Sequence, residues 1–466
     1  MRQVFTFASA AAVVFTTGAW AQDARSVSEP VIPQICAAVE AHLTSVKDGP
    51  YNSLAAGDED KLDTNRIQDA IDGCAKGKAV ALRGQGAANA FLSGPLKLRG
   101  GVTLLVDKGI TLFASIDPNV FALAPGSCGI VNNVKTVGCK PLITVDNVSG
   151  AGVMGDGVID GRGGIKQLAT NLSAWDIAQL SDRGRKALGR LIVANHADDF
   201  TLYRITLRNA PNFNVSYNAG DGFTVWGVKI DSPHRFPRAA RPLARNTDGI
   251  DPGNGSKNIT ITQSFIRTGD DNVAIKGGKG GVTNMTVSHN HFYWGHGMSI
   301  GSETYGGVSK VRVFDLTLDG TDSGIRIKSA GDRGGLVEDV TYDDVCIRDS
   351  AHPIQMTTFY ADGNGARNRM PIFRDITLKN VTIAGGGELV FDGFDADHRI
   401  QTTLDGVFLA DLPGTAYHYS FGHADVIFGK RGSNLVLPAG SDTTLTGVPS
   451  TSIAPSCDSR FVPFPE

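Results

Sequence analysis

Hydrophobic and polar positions alternate along this chain in short runs. From residue 200 onward, four-residue segments with apolar first and third positions return again and again. They are Phe200–Tyr203, Phe223–Trp226, Ile259–Thr262, Met285–Ser288, Val311–Phe314, Val340–Asp343 and Ile376–Lys379. Their starts are 23, 36, 26, 26, 29 and 36 residues apart. Alternation of this kind predicts half-buried β-strands. A helical pattern stands out near the N-terminus. Thr64 is a candidate N-cap, followed by Ile67, Ala70, Ile71 and Cys74 at i, i+3, i+4 and i+7. Lys186–Val193 is a second helical candidate.

A return every twenty to thirty-odd residues is the signature of a solenoid. The repeated unit is β-branched and alternating, so each turn holds about three short strands rather than a helix pair. A β-sandwich or barrel places turns every 8–12 residues and predicts no such return. A polar residue precedes several repeats, as at Asn258, Asn284, Asp339 and Asp375. Such residues can form side-chain ladders at a bend. The expected fold is an all-β, right-handed parallel β-helix. A short N-terminal helix, within a cap of about residues 30–80, covers its open end. No linker or composition break appears, so residues 22–466 are expected to form one catalytic domain.

Composition agrees with this picture. Glycine is 57 of 466 residues, charged residues are 20 % and hydrophobic residues 41 %. That is too apolar for a disordered chain, and the glycine suits many tight turns. The net charge of -3 excludes a nucleic-acid partner recruited by bulk positive charge. Residues 1–21 read as a secretory signal peptide: a basic start at Arg2, an apolar run Val4–Phe15 and Ala19-Trp20-Ala21 before Gln22. No later stretch has the roughly 18 apolar residues of a spanning helix. A secreted, extracellular, monomeric protein without a membrane partner is expected. Six cysteines fit an oxidising compartment. None forms C-x-x-C, so zinc is not expected. Cys128 and Cys139 are the best local pair. Cys36 and Cys74 could staple two helical segments, while Cys346 and Cys457 either pair or stay buried as thiols.

The acids cluster unevenly. Asn246-Thr-Asp248-Gly-Ile-Asp251 precedes one repeat, and Gly269-Asp270-Asp271-Asn272 follows it. Gly295-His296-Gly297 comes one repeat later, then Gly324-Ile-Arg326-Ile-Lys328. Asp270 lies 11 residues after Ile259, and His296 lies 11 after Met285. Equal offsets stack on one face of a solenoid, with rungs about 4.8 Å apart. Asp248, Asp270, Asp271 and His296 should therefore converge. Arg326 and Lys328, two apart on a strand, leave by the same face, and Ile325 and Ile327 point inward. Lys276 belongs to a nearby column. Converging carboxylates flanked by cations suit a chain of acidic sugars: the cations hold substrate carboxylates and the acids do the chemistry.

Other features read as structural. Asp58, Asp156, Asp160, Asp221 and Asp405 fit turns or caps. His289 and His291 fit a strand surface. The glycines of 277–281 lack a phosphate-binding pattern. Asn-x-Ser/Thr sites at Asn147, Asn171, Asn214, Asn258, Asn284 and Asn380 often open repeats.

Together the motifs Asn-Thr-Asp, Gly-Asp-Asp, Gly-His-Gly and Arg-Ile-Lys, in this order within residues 246–328, resemble the polygalacturonases of glycoside hydrolase family 28. Phe91–Pro95, Ala244–Pro252, Thr268–Lys276 and Gly295–Glu303 make the likeness especially close to bacterial endo-polygalacturonases. The resemblance implies a parallel β-helix that hydrolyses α-1,4-linked galacturonan with inversion and no cofactor. It implies that Asp270 is the general acid, with Asp248 and Asp271 activating water. Acid and base carboxyls should then lie about 6.5–9.5 Å apart. The crowd of acids is expected to raise the pKa of Asp270 and keep it protonated. His296 would support the acid's protonation. Arg326, Lys328, Lys276, Asn246 and Tyr360 are the expected substrate-binding residues for polygalacturonate or pectin, and no metal is expected.

Four other readings compete. An exo-acting enzyme would close one end of the cleft, and the basic segment 232–245, with His234, Arg235, Arg238, Arg241 and Arg245, could form such a wall. A calcium-dependent pectate lyase fits the acid pair with Arg-Ile-Lys less well than a hydrolase does, and against a rhamnogalacturonan hydrolase the intact Gly-His-Gly and Arg-Ile-Lys point to a homogalacturonan substrate. A non-catalytic polysaccharide-binding β-helix gains nothing from three converging carboxylates beside a polyanion.

Overall fold

The computed structural model describes residues 22–466, except 49–50, 133–137, 169, 181–184, 235–242, 361–367, 411–412, 415 and 437–441. The expected signal peptide and Arg235, Arg238 and Arg241 therefore lie outside the described residues. The strands wind into a right-handed parallel β-helix. The repeat read from sequence is the register of the strands. Phe200 pairs with Phe223, Phe223 with Ile259, Ile259 with Met285, Met285 with Val311, Val311 with Val340 and Val340 with Ile376. All seven side chains point into one continuous apolar core. Stacked rungs put like beside like there: the Phe200 and Phe223 rings lie parallel with centroids 5.5 Å apart.

The bends carry the expected ladder. Asn258 and Asn284 have φ of 55° and 58°, a left-handed conformation that asparagine tolerates. Asn284 Nδ2 donates to Asn258 Oδ1 (3.2 Å), and Asn258 Nδ2 donates to Asp221 Oδ1 (2.6 Å).

A second sheet has eleven strands among the described residues, from Leu96–Lys97 to Tyr417–Gly422. Its centre runs Val215–Asn218, Ile250–Gly253, Val273–Ile275, Met298–Ile300, Ser323–Lys328 and His352–Thr357. This sheet carries the candidate site.

The N-terminal helix spans Thr64–Gly73, with Asp63 rather than Thr64 at the N-cap position and with Ile67 and Ile71 buried. Lys186–Val193 is not helical. Arg185–Ala187 and Ile192–Asp198 are strands, because Ile192 continues the inward column of the second sheet beside Ile143 and Val215. Three disulfides join Cys36–Cys74, Cys128–Cys139 and Cys346–Cys457. The first ties the helix end to a strand, Ile35–Glu40, not to a second helix.

Candidate active site

The site is built where chain segments enter successive strands of the second sheet. Asp248, Asp271 and His296 each stand two residues before the strand residue Ile250, Val273 or Met298, and these three are register partners. The turn holding Asp270 and Asp271 is fixed from below by Asn272. This buried amide donates to the carbonyls of Ile266 (2.9 Å) and Tyr293 (3.1 Å) and accepts from Gly297 N (2.9 Å). Gly295 is required beside it. Its φ is 53°, and a Cβ there would meet the Asp270 carbonyl at 2.4 Å.

Asp271 is the most tightly held acid. Its Oδ2 lies 2.6 Å from Lys328 Nζ, and its Oδ1 accepts from Ser299 Oγ (2.7 Å) and Arg326 Nη1 (3.3 Å). Arg326 is braced in turn by Nε donating to Gln355 Oε1 at 2.8 Å. The Tyr360 ring faces both cations, 5.3 Å from the Arg326 guanidinium and 4.9 Å from Lys328 Nζ. Burial pushes the Asp271 carboxyl up, but Lys328, Lys276 and Arg326 outweigh it and hold the group below the usual carboxylate range.

Asp270 is more open. Its Oδ1 accepts from Asp271 N (2.9 Å) and faces His296 Nδ1 at 3.1 Å, and its Oδ2 accepts from Asn246 N (3.2 Å). His296 Nε2 faces Asp322 Oδ2 at 3.2 Å. The expected raising of Asp270 by its acidic neighbours does not occur. Burial does push it up, but the His296 hydrogen bond and charge, with Lys328 and Lys276, hold it well below the ordinary value. Burial lowers His296, yet Asp270 and Asp322 more than offset this and lift it to about 9. The crowding falls instead on Asp248. Burial and the charges of Asp270 and Asp251 raise it well above its ordinary value, against Lys276 at 3.6 Å.

Each sequence-derived candidate among Asp248, Asp270, Asp271, His296, Lys276, Arg326, Lys328, Asn246 and Tyr360 has a contact to another member of this set. Asn246 reaches the others through its backbone N–H. One oxygen each of Asp270 and Asp271 and a His296 nitrogen lie within 4.8 Å of one another. The same atoms have spacing open to a metal ion, but both Asp271 oxygens already serve Lys328, Arg326 and Ser299.

Sequence reasoning missed four residues. Asp322 lies 26 residues after His296, one rung length, so the period could have found it. Ser299 and Gln355 are register neighbours of Arg326 on either side. Asp251 is buried, and neither of its carboxyl oxygens has a hydrogen-bond partner. Burial raises Asp251 to about 7, against the Lys276 charge. Phe213 adds an apolar wall, its ring 4.6 Å from the Arg190 guanidinium and 5.8 Å from Lys276 Nζ.

Residues 74–415 match the model of the glycosyl hydrolases family 28. The chain is 37 % identical to a polygalacturonase of Ralstonia nicotianae, over 99 % of this chain and 97 % of that protein. It is 42 % identical to an endo-polygalacturonase of Pectobacterium parmentieri, over 84 % of this chain and 91 % of that protein. The solved polygalacturonase from Erwinia carotovora ssp. carotovora superposes with a TM-score of 0.76 at 40 % identity, covering 87 % of this chain and 99 % of that one.

Proposed function

Because the chain belongs to glycosyl hydrolases family 28, we propose that it is an exported endo-polygalacturonase that cleaves α-1,4 galacturonosidic bonds in polygalacturonate and pectin. The observation that carries this reading is one constellation: Asp270 joined to His296, beside Asp271 clamped by Lys328 and Arg326. Endo rather than exo action draws its support from the relatives named endo-polygalacturonase.

Asp270 is the general acid. The proton it delivers to the leaving oxygen is held in the Asp270–His296 pair, on the imidazole in the resting enzyme. Placing the glycosidic oxygen against Asp270 draws that proton from Nδ1 through Oδ1 to the substrate. Asp271 stays ionised in mildly acidic solution and polarises the attacking water. Asp248, whose carboxyl burial and the Asp270 and Asp251 charges raise above its ordinary value, is the second base. Arg326, Lys328 and Lys276 bind substrate carboxylates, with Tyr360 against the sugar face.

The outcome at the anomeric carbon is inversion. Retention needs a carboxylate free to attack carbon. Both Asp271 oxygens are instead committed to cations and a hydroxyl, which suits orienting water better than attacking carbon. The test is product analysis on polygalacturonic acid with chelator present. Saturated oligogalacturonides of mixed length, released first as the β-anomer by NMR, are expected. Release of monomer or dimer alone would make the enzyme exo-acting. Unsaturated products would make it a lyase, α-anomers would make it retaining, and binding without turnover would leave only a polysaccharide-binding protein.

A further inference from the structure

We propose that Asp322 is a positioning residue of this site: it holds His296 as a doubly protonated ring aimed at Asp270, and so sets the upper pH limit of catalysis. This rests on the polygalacturonase reading for its kinetic consequence, but not for its physical basis.

The basis is geometric. His296 Nδ1 lies 3.1 Å from Asp270 Oδ1, and Nε2 lies 3.2 Å from Asp322 Oδ2. A neutral imidazole donates from one nitrogen and presents a lone pair at the other. Between two carboxylates, that lone pair would face a negative oxygen whichever tautomer formed. Only the imidazolium satisfies both sides. Asp271 Oδ1 is 3.9 Å from Nδ1, but Ser299 and Arg326 already occupy it, so Asp270 is the true partner of Nδ1.

Asp322 is itself rigidly placed. Its N–H donates to Gly295 O (2.8 Å), and its carbonyl accepts from His352 N (2.8 Å). The rung ladder thus fixes its backbone one turn above the histidine. Side-chain exposure rises along the row, from 18 % at Asp270 through 28 % at His296 to 37 % at Asp322. The second carboxylate therefore stands at the solvent end, where a substrate seated over Asp270 need not displace it. The charged groups facing His296 are Asp270 and Asp271 from one turn and Asp322 from another, with Lys328 and Arg326 beyond Asp271. The direction of the His296 shift agrees: the two hydrogen-bonded carboxylates carry it to about 9.

The sign follows. The imidazolium is present below its folded pKa and is lost as pH rises through it. Removing the Asp322 charge lowers that pKa. Rates on polygalacturonate should be followed across pH for the wild type, Asp322→Asn and Asp322→Glu. In Asp322→Asn the alkaline limb of kcat/KM should move down by about one pH unit, with KM within about twofold and near wild-type rates at the acid end. Asp322→Glu should restore the limb. An unmoved limb, a uniform loss at every pH, or a raised KM with an unchanged profile would overturn the proposal. NMR titration of the His296 ring, assigned with His296→Gln, gives a readout without turnover: its pKa should fall in Asp322→Asn. If polygalacturonate is not hydrolysed at all, the functional reading fails and the titration still decides the role of Asp322.

Discussion

Two outward columns of the same solenoid behave in opposite ways. On the large sheet, Thr201, Thr224, Thr260 and Thr286 follow one another in register, and after Arg312 come Thr341, Thr377 and Thr403. On the second sheet, the corresponding run is Ala274, Ser299, Arg326, Gln355 and Val390. The first column repeats because each rung meets the same need, a β-branched residue beside its own kind. The second does not repeat, because its members answer to partners on other rungs: Ser299 and Arg326 both reach Asp271. Repetition marks what the solenoid requires of itself. A break in repetition marks a partner beyond the stack: Asp343 for Arg312 on the large sheet, Asp271 for Ser299 and Arg326 on the second.

The sharpest test of that contrast is Asp270→Asn. The amide keeps the shape, and its single oxygen can accept from one of the two N–H groups that Asp270 now serves, Asp271 N at Oδ1 or Asn246 N at Oδ2, but it cannot pass a proton. We expect kcat on polygalacturonate to fall about 10³-fold, with the melting temperature and substrate binding nearly unchanged. A variant that keeps a tenth of the activity would remove Asp270 from the acid role.

Lys328→Met acts next, and on both activity and stability. Lys328 and Asp271 are nearly sealed from solvent, with side chains 3 % and 1 % exposed. Breaking such a pair costs about 3 kcal/mol because it strands a buried charge. Asp271 is held below its ordinary value in the folded state. Its ionised form therefore contributes stability above the unfolded pKa of about 3.9, which is lost as pH falls through the lower folded value. Without Lys328 the folded value rises and that contribution shrinks. Denaturant melts should show the full deficit near pH 7 and a smaller one near pH 4. An equal deficit at both would mean that lost packing, not charge, is responsible.

The comparison also explains what could be read from the chain before its structure. The strand register was legible because Phe200, Phe223, Ile259 and their successors share one environment. Asp271 and His296 were legible because their offsets follow that register. The proton distribution was not. Asp248 and Asp271 hold equivalent places before their strands, yet shift in opposite directions. Asp271 meets Lys328, Arg326 and Ser299, whereas Asp248 has Lys276 at 3.6 Å and one buried oxygen without a hydrogen bond. Those differences depend on where long side chains end, which spacing does not encode. Asp322 escaped because a lone acid in a turn resembles any other until its 26-residue spacing from His296 is counted.

The smallest effect should come from the repeating column itself. Thr341 sits between Arg312 and Thr377 on the large sheet and is partly exposed. Valine has the same branching and a similar strand preference, so Thr341→Val keeps what the column needs from each rung. It removes a hydroxyl that no catalytic group touches. We expect stability to change by less than about 1 kcal/mol in a thermal melt, with kcat and KM unmoved. The prediction is demanding because it is nearly null. A several-fold change in kcat would mean that a repeating column carries function after all, and the rule separating the two columns would fail. A large loss of stability would mean that Thr341 is held by a specific hydroxyl contact, as Thr260 is by Asp23 Oδ2 at 2.7 Å, and not by shape. A small change with intact kinetics leaves one account of both columns. Periodic positions serve the stack and, at Thr260 and Thr286, the N-terminal segment laid over it, whereas Ser299 and Arg326 on the second sheet answer to Asp271.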